Sequence, residues 1–149
     1  MKKEQRIRHY RESLERAERD CAALVTGANE RLTAAERQLT ELIRYREEYQ
    51  QSLGPRALQG MSGLALMDFH AFVSRLGDAI RQQADVVARY RREQQQAVGR
   101  LQEAAVRHRT VGAVVERWRA EERVVELRRD QAECDELSRR ERFTVAKIA

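Results

Sequence analysis

Residues 69–118 read FHAFVSRLGDAIRQQADVVARYRREQQQAVGRLQEAAVRHRTVGAVVERW, and the spacing of the apolar side chains in this stretch decides the fold. Steps of four and three select Phe69, Val73, Leu76, Ile80, Gln83, Val87, Tyr90, Gln94, Ala97, Leu101, Ala104, His108, Val111, Val115 and Trp118, with Val125 further on. Alternating steps of this kind fall on one stripe of an α-helix and form the seam of a coiled coil. Between them Arg, Glu, Gln and Asp recur throughout and make up about half of the residues. A half-buried strand would alternate with period two, and no such alternation is present.

Upstream the same rhythm returns at Ile7, Tyr10, Leu14, Ala17, Cys21, Leu24 and Ala28. After one four-residue offset it continues at Leu32, Ala35, Leu39, Leu42, Tyr49 and Leu53. The offset reads as a stutter, which relaxes a supercoil locally without ending it. Between the two arms Gly54 suits a left-handed helix cap, and Pro55, the single proline, is a stop signal. The expectation is an all-α fold: a two-helix antiparallel coiled-coil hairpin with a longer C-terminal helix. It would be one domain over residues 1–149, with a helix over about 4–53, a connector over 54–63 and a helix over about 64–142. Ser62 is placed to cap the second helix, with Asp68 near its first turn.

Two antiparallel helices of equal rise keep facing residue numbers at a constant sum, here roughly 116. Tyr49 is then expected near Met67, Tyr45 near Phe72, Leu42 near Leu76, and Ile7 near Arg109. The second helix would outrun the first by about 30 residues, or about 50 Å. Val111, Val114, Val115, Trp118, Val124, Val125 and Leu127 lie along that overhang, and an apolar stripe with no partner in its own chain implies one in another.

Composition agrees. Charged residues make up 36% and aromatics 5% of the 149 positions, which suits a long-helix protein better than a compact core. The net charge of +5 and pI of about 9.7 would by themselves suggest nucleic acid. But the 29 basic and 24 acidic side chains are interspersed, as in Arg46-Glu47-Glu48, whereas a phosphate-binding arm needs a face of one sign. No nucleic-acid role is expected. Cys21 and Cys134 are too few and too scattered for a disulfide framework or a zinc site, and no metal or cofactor is expected. No signal peptide or span of the ~20 apolar residues a bilayer needs is found, so the expectation is a cytosolic chain that reaches a membrane only through partners.

Catalytic constellations are missing as well. His9, His70 and His108 are isolated, Gly60-Met61-Ser62-Gly63 lacks the Lys-Ser/Thr of a phosphate loop, and the carboxylates sit beside Arg on solvated faces. The chain does not read as an enzyme. The informative cluster is aromatic. Gln38, Leu42, Tyr45 and Tyr49 follow steps of four, three and four, and Phe72, Leu76, Ala79 and Gln83 repeat them on the other arm. Either these residues knit the two helices together, or they edge a stripe wide enough to anchor another protein. Trp118 poses the same choice between coiled-coil core, as in a homodimer, and partner anchor.

Three stretches then carry a resemblance. Leu39-Thr40-Glu41-Leu42-Ile43-Arg44-Tyr45-Arg46-Glu47-Glu48-Tyr49 resembles the L-x-x-L-x-x-Y-R-x-E-Y run of the FliJ family of flagellar type III export proteins. The second stretch is residues 69–83. The third is Trp118 followed by residues 129–140, similar to the family's R-x-E-Q-K-x-x-D-E ending, with Ala132 and Asp130 departing from the usual Lys and Glu. The resemblance implies a stalk-like, non-catalytic subunit of the flagellar protein export apparatus, located in the cytoplasm and peripherally at the inner face of the cytoplasmic membrane. Its implied partners are the hexameric export ATPase, the cytoplasmic domain of the membrane export gate, and export chaperones, with the chain mostly monomeric when free. Position by position, the gate patch is Gln38, Leu42, Tyr45, Tyr49, Phe72, Leu76, Ala79 and Gln83. The overhang contact with the ATPase ring is Val111, Val115, Trp118 and Val125. A structural coiled-coil adaptor and the injectisome counterpart of the same protein stand as alternatives.

Overall fold

The structure, a computed structural model, describes residues 2–148. Among them the chain forms two α-helices, α1 (Lys3–Leu58) and α2 (Gly63–Ile148), packed as an all-α antiparallel hairpin with the longer helix second.

The helix ends differ from those expected. α1 does not stop at Leu53 but carries Pro55 inside its final turns and ends at Leu58. Pro55 lacks the amide that would bond the Gln51 carbonyl, and its ring crowds that carbonyl, yet only three helical residues follow it. The stop comes from Gly60, whose φ of 108° is open to glycine but strained for other residues, and not from Gly54. The Gln59 amide donates to the carbonyls of Pro55 and Arg56, at 3.2 and 3.1 Å, closing the last turn. The connector is therefore residues 59–62 instead of 54–63. Ser62 caps α2 as its residue type predicts: its Oγ accepts from the Ala65 amide at 3.2 Å, and its carbonyl from the Leu66 amide at 3.0 Å. Asp68 lies beyond that first turn, which holds no acidic residue. α2 continues past Arg142 to Ile148, because no glycine or proline follows to end it.

The chain divides into two compact units. The larger comprises Arg16–Ala104 and is a helical hairpin. Its centre is Leu32, Ala35 and Val87, with Leu39, Val86 and Tyr90 packed around them. Tyr45 meets Phe72, Tyr49 meets Phe69, and Gln94 meets Asn29 across the hairpin, so facing numbers sum to about 120. Polar side chains help set this register. Gln83 Nε2 donates to the Ala35 carbonyl at 3.0 Å and to Gln38 Oε1 at 3.2 Å, and Gln94 Nε2 donates to Asn29 Oδ1 at 2.8 Å. Arg91 pairs with Glu36 at 3.2 Å, an exposed contact worth at most ~1 kcal/mol.

The smaller unit joins the first 15 residues to the chain from Ala105 onward. Here Lys3 Nζ lies 4.6 Å from the centroid of the Trp118 ring. The Arg11 guanidinium lies beside Gly112. Ile7, Arg11 and Leu14 are half-buried, as are His108, Val111 and Gly112, while Val115 is buried. Arg109, expected opposite Ile7, is exposed, because the pairing is shifted a few positions from the expected register. From Glu116 to Ile148 every residue of α2 is exposed.

The covered positions of α1 also correct the expected seam. They fall at Ile7, Arg11, Leu14, Glu18, Cys21, Val25, Ala28 and Leu32, an unbroken four-three alternation, while Tyr10 and Leu24 are exposed. No stutter is needed. Arg11 and Glu18 hold seam positions because long charged side chains can lay their methylene stems on a neighbouring helix and keep their heads in water.

Candidate functional site

Among the described residues no helix is long and apolar enough to cross a membrane, and no group of His, Cys, Asp or Glu could hold a metal ion. Two surfaces stand out, one in each unit.

In the larger unit the aromatic cluster closes as its spacing foretold. Tyr45 and Phe72 meet edge to face, with centroids 6.2 Å apart and planes at 83°. Tyr49 touches both Phe69, stacked at 5.4 Å, and Phe72, tilted at 4.5 Å. Tyr49 was expected beside Met67; the aromatic rings capture it instead, since ring pairs add to the gain from burial alone. The eight sequence-selected residues then separate by exposure. Leu76 is only 8% exposed and belongs to the interior. Leu42, Tyr49, Phe72, Ala79 and Gln83 are half-buried, Gln38 is exposed, and Tyr45 is 51% exposed. Tyr45 therefore keeps about half of its surface in water while Phe72 packs against its ring. An amphipathic ring already held in one orientation makes a low-entropy anchor for another protein.

In the smaller unit the four selected residues separate in the same way. Val115 is 5% exposed and faces the first helix, and Val111 is half-buried. Trp118 and Val125 are at the surface, at 40% and 48% exposure. The Lys3 ammonium over the Trp118 ring makes a cation–π contact, which at an exposed site contributes roughly 0.5–1 kcal/mol. Beside it an open groove of about 770 Å³ runs between the first turns of α1 and α2, with Ile7, Val115 and Trp118 among its walls. Its rim mixes Lys3, Arg11 and Arg119 with Glu4, Glu12 and Glu122, so it carries no single sign of charge. A protein surface suits it better than a phosphate group.

Sequence reasoning missed Lys3 as the partner of Trp118, since a lone terminal lysine carries no pattern. It also stopped at Val125 and Leu127, leaving out the exposed Leu137 and Phe143. Continuing the four-three count from Val125 through Arg129, Ala132, Glu136 and Arg139 reaches Phe143, so that signal was present.

These surfaces define a class: an all-helical coiled-coil protein whose work is recognition by helix faces. The family model described as Flagellar FliJ protein matches residues 3–145, nearly the whole chain. The chain belongs to the FliJ family and is a component of the flagellar protein export apparatus, in a family of non-catalytic export components. No curated protein and no solved structure matches it.

Proposed function

We propose that this chain is the stalk-like subunit that links the hexameric export ATPase to the membrane export gate, coupling the two during flagellar export and escorting export chaperones. The observation that carries this reading is a pair of aromatic anchors, Tyr45 and Trp118. Each is half-exposed at the edge of a covered stripe, and they stand on separate units. One anchor per partner is what a coupling subunit requires.

Gate binding is assigned to the larger unit. Gln38 and Tyr45 would make the outer contacts, and the half-buried Leu42, Tyr49, Phe72, Ala79 and Gln83 would fill the edge between the helices. Leu76 supports that edge from inside. ATPase binding is assigned to Trp118 and Val125, with Val111 and Val115 holding the α2 surface in place. The 30 residues after Trp118 are exposed and leave α2 free to enter a partner. The chain works without catalysis, and attachment to the cytoplasmic face of the membrane comes through the gate.

Pull-down of the full chain with the purified ATPase and, separately, with the gate's cytoplasmic domain tests the reading. Tyr45→Ala is expected to weaken gate capture at least tenfold and leave ATPase capture intact, and Trp118→Ala with Val125→Ala to do the reverse. Loss of both partners by either variant, or of neither, overturns the assignment of surfaces.

A further inference from the structure

The exposed end of α2 has a charge pattern that the export role leaves unused. Residues 130–136 hold four acidic side chains and no basic one, whereas residues 139–147 hold four basic side chains and one acidic. We propose that this end of α2 pairs with the same segment of a second copy, antiparallel about a twofold axis. In such an interface each residue meets its counterpart's partner reciprocally, so every favourable contact occurs twice.

One register satisfies both the seam and the charges. Continuing the four-three alternation from Trp118 puts Ala132, Glu136, Arg139 and Phe143 on the stripe. Set antiparallel, Glu136 faces the second copy's Arg139, and Ala132 faces its Phe143. A small residue opposite a large one lets the helices approach, and the exposed Phe143 ring, 68% accessible, gains cover. On the flanks, where antiparallel helices bring like heptad positions together, Glu133 falls beside the second copy's Arg140 and Asp135 beside its Arg142. The first helix offers no obstacle: Lys3, near its start, lies at Trp118, short of the paired stretch. Parallel in-register pairing would instead oppose acidic block to acidic block and basic to basic, which is unfavourable. Within one chain Arg140 Nε lies 3.6 Å from Glu136 Oε1, an exposed contact that leaves the Glu136 carboxylate open to a second cation. The overlap is only about three heptads with little apolar area, so the complex is weak and monomer prevails in dilute solution.

Sedimentation equilibrium of the full chain, from about 10 µM to about 1 mM at low salt, tests this. The average mass is expected to rise from the monomer's 17.4 kDa toward twice that value. Glu136→Arg alone, or Arg139→Glu alone, places like charges together twice and should weaken association at least tenfold. The double variant restores opposite charges and should return to within about threefold of the wild-type chain. Should circular dichroism show lost helix in these variants, Asp135→Arg, Arg142→Glu and their combination make the same test on the flank. A mass flat at the monomer value, single variants that associate as well as the wild type, or a double variant as weak as the singles would overturn the proposal.

Discussion

Replacing Tyr45 by Ala separates surface from interior most sharply when compared with Leu76→Ala in the same unit. Roughly half of the Tyr45 side chain is covered, on the order of 100 Å², so at ~25 cal/mol per Å² its burial is worth at most ~2.5 kcal/mol, and ~1.5–2 kcal/mol once the compactness of the unfolded chain is counted. The edge-to-face contact with Phe72 is part of the same loss, and Ala returns a few tenths of a kcal/mol in helix propensity. The net destabilisation is about 1 kcal/mol, or about 2–4 °C in Tm for a chain of this size. Leu76, 8% exposed between the helices, should cost about 2–3 kcal/mol, the lower part of the usual range because a two-helix interior can close partly over the gap. Far-UV circular dichroism melts give the stabilities, and titration with the gate's cytoplasmic domain gives the affinities. Tyr45→Ala should keep its helix and lose gate affinity, while Leu76→Ala should lose stability first. Equal destabilisation by the two substitutions would refute the surface placement of Tyr45, and undiminished gate affinity in Tyr45→Ala would refute its role as an anchor.

Two glycines should respond in opposite directions. Gly99→Ala, inside α2 with nothing within 4 Å of the added methyl, should stabilise by about 0.5–1 kcal/mol, whereas Gly60→Ala, at φ 108°, should destabilise by at least about 1 kcal/mol; thermal melts distinguish them. Ser62→Ala removes the cap of α2 and should cost about 1 kcal/mol, with faster hydrogen exchange at the Ala65 amide as the local readout. Ending the chain after Trp118 removes only exposed residues, so Tm should fall by no more than about 2 °C, while binding to the ATPase should be lost because Val125 and the free segment go with it.

Much of this could be read from the sequence, and the exceptions have physical causes. The stripe from Phe69 to Trp118 was legible because the four-three alternation runs through it unbroken and twelve of its fifteen positions are apolar. On the first arm Ile7, Leu14, Cys21 and Ala28 are shared by two regular seams, and the one through Tyr10, Ala17 and Leu24 is more apolar than the one through Arg11, Glu18 and Val25. What decides the seam is unbroken spacing against the second helix, and an arginine stem can satisfy that. Gly54-Pro55 looked decisive because both residues are poor in helix interiors. Yet α1 carries the proline three residues before its end, and Gly60, in the positive-φ conformation, was the true stop. For the surfaces, spacing correctly joined Tyr45 to Phe72, but it cannot tell the residues facing inward from those one step around the helix. Leu76 and Val115 proved to be interior, and Tyr45, Trp118 and Val125 proved to be surface.

Among the described residues no side chain is enclosed completely, for even Ala28, the most covered, keeps 3% of its surface in water. Cohesion is thus divided among many shallow contacts, each able to let go without the others. Twist or tension applied at one turn should therefore be absorbed by small slips at successive layers, giving a graded, springlike response in place of a sudden rupture.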